Sequence, residues 1–168
     1  MADSAQFDPD AILGALEKHR VDYVLIGGLA AMLHGAIHTT NDADITPSRD
    51  AQNLVRLAAA MVELEARIRT HTVPEGLAFD RSPALLRDVA MLNLVTKYGD
   101  MDISFEPAGT RGYPDLRANA VELNIHGNRV VLAALADVIR SKEAANREKD
   151  RAVLPALRKL AELIRERS

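Results

Sequence analysis

Asp42 and Asp44 stand one residue apart in the run NDADIT, and Asp102 stands in MDISF. On an extended strand, positions i and i+2 face the same side, so the first two carboxylates would lie together. Two carboxylates so placed repel each other and raise one another's pKa. A positive charge between them relieves the repulsion, and Mg²⁺ takes carboxylate oxygens readily. An isolated Asp-x-Asp pair is also what a solvated strand face looks like, so a third acid decides the reading. Asp102 lies between Met101 and Ile103, on the polar side of a half-buried strand. Asp100 and Glu106 share its parity, and Asp100 is expected to serve the preceding turn, where Asp is common for local hydrogen-bond reasons.

Gly27-Gly28 follow the apolar run YVLI. Glycine lets a backbone approach a phosphate closely, and the N–H groups that open a helix attract anions. A tight strand-to-helix turn explains the same pair, and the glycine fingerprint of dinucleotide-binding folds is missing because Leu29 and Ala30 follow directly. Far along the chain, SKEAANREKD adds Lys142, Arg147 and Asp150. Lys142 would serve a triphosphate as a compact point charge. Arg147 is a further candidate for contact with phosphate or RNA. Asp150 either orients Lys142 or a base, or stabilises the start of the last helix through its dipole.

The elements that must position these residues follow from periodicity. A first helix is expected over 8–19, a strand over 22–26, and a short helix in LAAMLHG closed by Gly35. DADIT (42–46) is a strand ended by Pro47. Ser48 and Asp50 stand where a cap belongs, before a helix from Ala51 to about Ala66. A short strand is expected over 67–72. Strands over 91–96 and 101–105 flank Tyr98-Gly99-Asp100, and strands over 121–125 and 129–133 flank His126-Gly127-Asn128, giving two hairpins. Helices over 134–145 and 149–166 close the chain, the last kinked or delayed by Pro155. Hairpins beside helices predict an α+β fold with a mixed, partly antiparallel sheet, in one domain over 1–168 with a core at about 20–133 and a helical segment at about 134–168.

VLIGGLAAMLHGAIHTTNDADIT followed by YGDMDISF resembles the nucleotidyltransferase superfamily of the DNA-polymerase-β type. With SKEAANREKDRAVLPAL, the chain looks most like the AbiEii-like, abortive-infection type toxin nucleotidyltransferases of toxin–antitoxin pairs. The resemblance covers roughly residues 20–155. It implies that Asp42, Asp44 and Asp102 hold Mg²⁺ (or Mn²⁺) and that Asp102 helps to deprotonate an acceptor hydroxyl; Gly27 and Gly28 are expected to give backbone contacts to the β- and γ-phosphates of an NTP. It further implies a tRNA 3′ end as acceptor, a block of translation, and a cognate antitoxin as partner. One departure stands out: where the family pattern R-x-T-x-D-x-D carries Arg, this chain has His38, with Thr40 preserved. Transfer to a protein hydroxyl or to a small molecule such as an antibiotic is the alternative within the superfamily. A catalytically dead binding module is the alternative outside it.

Composition agrees. The chain of 168 residues is 48% hydrophobic and has no cysteine, which removes disulfides and thiolate metal sites. No apolar stretch can span a membrane and no signal peptide is read, so a cytoplasmic protein is expected. The five histidines show no zinc-ligand spacing; His34 and His38 fall near the candidate site and His126 in a hairpin. The net charge of −3 hides an asymmetry: residues 1–139 carry 12 Lys/Arg against 19 Asp/Glu, a net of −7, and residues 140–168 carry 9 against 5, a net of +4. Arg147, Lys149, Arg151, Arg158 and Lys159 would be the cations available to an RNA.

Overall fold

The computed structural model describes residues 6–168. Seven strands form one mixed sheet: β1 (Tyr23–Ile26), β2 (Asp42–Pro47), β3 (Arg67–Ile68), β4 (Met91–Thr96), β5 (Gly99–Ser104), β6 (Val121–Ile125) and β7 (Asn128–Leu132), in the order β3-β4-β5-β2-β1-β7-β6. Helices α1 (Pro9–Lys18), α2 (Gly27–Leu33), α3 (Ala51–Glu63), α4 (Pro83–Asp88), α5 (Tyr113–Ala118), α6 (Leu135–Ala145) and α7 (Glu148–Glu166) pack around it. The α+β class expected from the sequence is the one observed. No helix among the described residues is long and apolar enough to cross a membrane.

Strand pairing sets the two faces. β1 and β2 are antiparallel with Ile26 opposite Asp44; β2 and β5 are parallel with Asp44 opposite Asp102; β4 and β5 are antiparallel with Asn93 opposite Asp102. Paired residues share a face, and alternate residues change it. One face therefore carries Tyr23, Leu25, Ala43, Ile45, Leu92, Leu94, Met101 and Ile103, all buried in the main core with α1 and α3. The other face carries the acids and stays partly open. Helix caps agree with local chemistry: Asp8 caps α1 ahead of Pro9, Asp50 caps α3 through Asn53 N–H, and Ser82 caps α4 ahead of Pro83.

Three expectations are corrected. The strand expected over 67–72 pairs only at Arg67–Ile68. The β4–β5 turn is the pair Lys97-Tyr98, since Thr96 opposes Gly99, so Asp100 lies on β5 opposite Asp42 and Val95, not in the turn. Gly99 makes this register fit, because it has φ +105° and a side chain there would strike Phe7. Pro155 sits inside α7 without delaying or ending it, for the helix starts upstream at Glu148. Two further helices, α4 and α5, were not expected, because six residues are too short to leave a periodic signature.

Candidate active site

The register brings Asp42, Asp44 and Asp102 together on one sheet face. One carboxylate oxygen from each lies within 4.8 Å of the others. Asp44 feels this crowding most. Burial first, and then the charges of Asp42 and Asp102, push its carboxyl up to about 7, while Lys142 partly offsets them. Asp102 is also raised, by burial above all, against the opposing pull of Arg69. Three converging acids, with Asp44 and Asp102 both held back from ionisation, form a donor set suited to a hard divalent cation.

Small local devices hold this geometry. The Thr40 hydroxyl donates to Asp42 Oδ1 at 3.0 Å. Gly27 has φ +72°, and a Cβ there would overlap the Asp44 carboxylate, so only glycine lets α2 start against the acids. His38 Nε2–H donates to the Gly28 carbonyl at 3.0 Å, and His34 Nε2–H donates to the Ala133 carbonyl at 2.7 Å. His38 thus tethers the glycine turn.

Arg69 went unnoticed in the sequence. Its Nη2 donates to Asp102 Oδ1 at 2.7 Å, its Nη1 donates to the Leu94 carbonyl at 3.2 Å, and Nη1 lies 3.4 Å from Asp100 Oδ2. Its place depends on the backbone bond from Arg69 N–H to the Asn93 carbonyl, directly across from Asp102. No motif announces such a contact; only the strand register produces it.

The C-terminal residues form the opposite wall. Asn146 takes a left-handed conformation and ends α6, and α7 begins at once. Asp150 is fully buried and accepts from Arg147 N–H at 3.1 Å, Nε at 2.7 Å and Nη2 at 3.2 Å. Lys142 Nζ lies 3.7 Å from Asp150 Oδ1. Burial alone would raise the Asp150 carboxyl, but the Arg147 hydrogen bonds and the Lys142 charge hold it below the usual carboxylate range. Asp150 therefore both opens the helix and orients two cations.

A cleft of about 520 Å³ joins all these groups: Gly27, Gly28, the three acids, Lys142, Arg147 and Lys149 all line it. Asp150 sits behind the lining. Arg158 and Lys159 are not part of it; they pair with Glu143 at 3.0 Å and Glu162 at 3.8 Å.

The sequence matches no protein-family model and no curated protein. The fold does have solved counterparts. A lincosamide antibiotic adenylyltransferase, LnuA, in its lincomycin-bound structure aligns with a TM-score of 0.59 and 18% identity, over 90% of this chain and 95% of that one. ANT(2")-Ia in complex with adenylyl-2"-tobramycin aligns at 0.54 and 15% identity, over 95% of both chains. An antigenic nucleotidyltransferase-like protein from Paracoccidioides brasiliensis aligns at 0.52 and 15% identity, over 91% of this chain and 73% of that one. At these identities the likeness is one of fold: this chain has the fold of the nucleotidyltransferases.

Proposed function

We propose that this chain is a Mg²⁺-dependent nucleotidyltransferase that moves a nucleotide from an NTP to an acceptor hydroxyl. The observation that carries the reading is the convergence of Asp42, Asp44 and Asp102 opposite Lys142, in one cleft with Gly27 and Gly28. A divalent ion held by the three aspartates would offset triphosphate charge and stabilise the oxygens of an in-line displacement. The chain's own residues do the rest. Lys142 and Arg147, set by Asp150, receive the outer phosphates. The backbone at Gly27-Gly28 lets those phosphates come close. Asp102, held by Arg69, takes the proton of the acceptor hydroxyl as its oxygen bonds to the α-phosphorus and pyrophosphate departs.

The AbiEii-like resemblance gives the acceptor as a tRNA 3′ end, the outcome as arrested translation, and the partner as an antitoxin. A second acceptor reading, a small hydroxylated molecule, has one observation in its favour. Arg158 and Lys159, which would have met an RNA, pair with acids of this chain and lie outside the cleft lining. The deciding experiment supplies the protein, Mg²⁺ and α-labelled NTPs with purified tRNA and, separately, with tobramycin and lincomycin. Label on tRNA alone supports the toxin reading; label on a small molecule supports the second; label on neither, nor on protein in a whole extract, removes the enzyme reading.

A further inference from the structure

One carboxylate in the cleft is not used by the site described above. Asp137, in the first turn of α6, lines the cleft with its side chain only 9% exposed. Its Oδ1 accepts from Arg140 Nη2 at 3.1 Å, but its Oδ2 is buried with no hydrogen-bond partner. Burying a carboxylate oxygen without a partner is costly. Arg140 cannot turn to serve it, because Nη1 is engaged by Asp115 at 3.1 Å and by the Gly109 carbonyl at 3.0 Å. The network fixes Asp137 in place and leaves Oδ2 without a partner.

The surroundings say what it would accept. Asp137, Ser141 and Ala145 follow one another at i, i+4 and i+8, so they share one stripe of α6, and all three line the cleft. Pro107, Leu116 and Val138 add apolar lining to the same cleft. The bonds from Arg140 to Gly109 and Asp115 draw the loop after β5 and the start of α5 against α6 at this point. An apolar slot edged by a carboxylate and a hydroxyl suits a planar ring that carries an N–H donor.

The cleft is also sorted by charge along α6. Lys142, with Arg147 and Lys149 beyond it, stands at the C-terminal end, and Asp137 stands five residues back. Five residues of helix span about 7.5 Å. Phosphates belong at the cationic end and are repelled from Asp137. A triphosphate lying against Lys142 would carry its nucleoside back along α6 toward Asp137.

We infer that Asp137 and Ser141 form the nucleobase subsite of the NTP, with Asp137 Oδ2 accepting a hydrogen bond from an exocyclic amino group. The ligand class is a nucleoside triphosphate of adenine, cytosine or guanine. Uracil is disfavoured because its one free N–H stands between two carbonyl oxygens, which the carboxylate repels. This assignment rests on the nucleotidyl-transfer reading of the site.

Calorimetric titration of the intact chain with the non-hydrolysable α,β-methylene analogues of ATP, CTP, GTP and UTP, with Mg²⁺ present, tests it without any acceptor. At least one amino-bearing analogue is expected to bind about tenfold tighter than the uracil analogue, as one charge-assisted hydrogen bond implies. Asp137→Asn keeps an oxygen for Arg140, and it should bring the ratio toward unity. Equal affinity for all four analogues in the unmodified protein, or a ratio that Asp137→Asn leaves unchanged, would overturn the subsite alone. Absence of Mg²⁺-dependent binding of any analogue would remove the nucleotidyl-transfer reading, and the subsite with it.

Discussion

The acid wall and the cationic wall of the cleft face each other but are built by different rules. Asp42, Asp44 and Asp102 sit on neighbouring strands, where pairing and alternation fix their positions to within a residue. Lys142, Arg147 and Asp150 sit on either side of a helix–helix junction, where one left-handed residue, Asn146, decides which way they face. The acid wall holds charges that repel, and so gains from a ligand. The cationic wall has its own buried counter-ion and is largely satisfied without one. The cost of the site is therefore concentrated on the strands, and the helices carry the positioning.

That contrast can be broken first at the acids. Asp42→Asn or Asp44→Asn should lower nucleotidyl transfer by about a thousandfold or more, with no loss of thermal stability in metal-free buffer, because a mutually repelling carboxylate is removed. Normal turnover at saturating Mg²⁺ would end the metal assignment. Gly27→Ala should act nearly as strongly by a different route: the added Cβ meets the Asp44 carboxylate and the positive φ is penalised, so the site is displaced. Activity and Tm should fall together for that variant.

On the cationic wall the two effects separate. Lys142→Ala should raise the KM for NTP about tenfold at nearly unchanged Tm, with Lys142→Arg restoring part of it. Asp150→Ala should instead cost about 2 kcal/mol of stability, since it removes a cap and strands two cations. If Lys142→Ala titrates nucleotide like the parent, the cationic wall is structural only.

Titration sharpens the comparison further. The Asp44 carboxyl sits at about 7 in the folded chain against about 4 when unfolded. The folded state therefore binds the proton more tightly, and this group's contribution is fully present below about pH 4 and lost as pH rises through about 7. The difference between the two values is worth about 4 kcal/mol at most. Mg²⁺ should raise Tm more at pH 8 than at pH 5, and chelation should reverse the gain. An equal Mg²⁺ effect at both values would show that the three acids do not share a cation. The smallest effect is expected outside the cleft, where Arg158→Ala with Lys159→Ala should change NTP use little, because both cations already pair with acids of the chain.

What the sequence disclosed follows the same division. Asp42 and Asp44 were legible because a period of two is written directly in DADIT; Asp102 shares its parity with Asp100 and Glu106, so the family resemblance and not periodicity singled it out. Gly27 was legible as a turn, though its contact with Asp44 was not, since that depends on β1 and β2 pairing with Ile26 opposite Asp44. Arg69 was invisible: it lies outside any motif and reaches Asp102 only through the β3–β4 register. Asp100 was misplaced because Gly99 and Asp100 are turn-favouring residues, yet both lie on β5 and the turn is Lys97-Tyr98. Asp137 was hidden for another reason, as an acid in the first turn of a helix is ordinary, and only its unpaired oxygen distinguishes it.

The most direct test of the central claim uses two labels on one substrate. The protein is incubated with Mg²⁺ and an NTP labelled either at the α- or at the γ-phosphate, with tRNA and small hydroxylated acceptors supplied in parallel. Nucleotidyl transfer at the Asp42, Asp44 and Asp102 centre predicts that α-label moves to an acceptor while γ-label leaves as pyrophosphate, and that Asp44→Asn stops both. Movement of γ-label to an acceptor, or α-label transfer that persists in Asp44→Asn, would contradict the account.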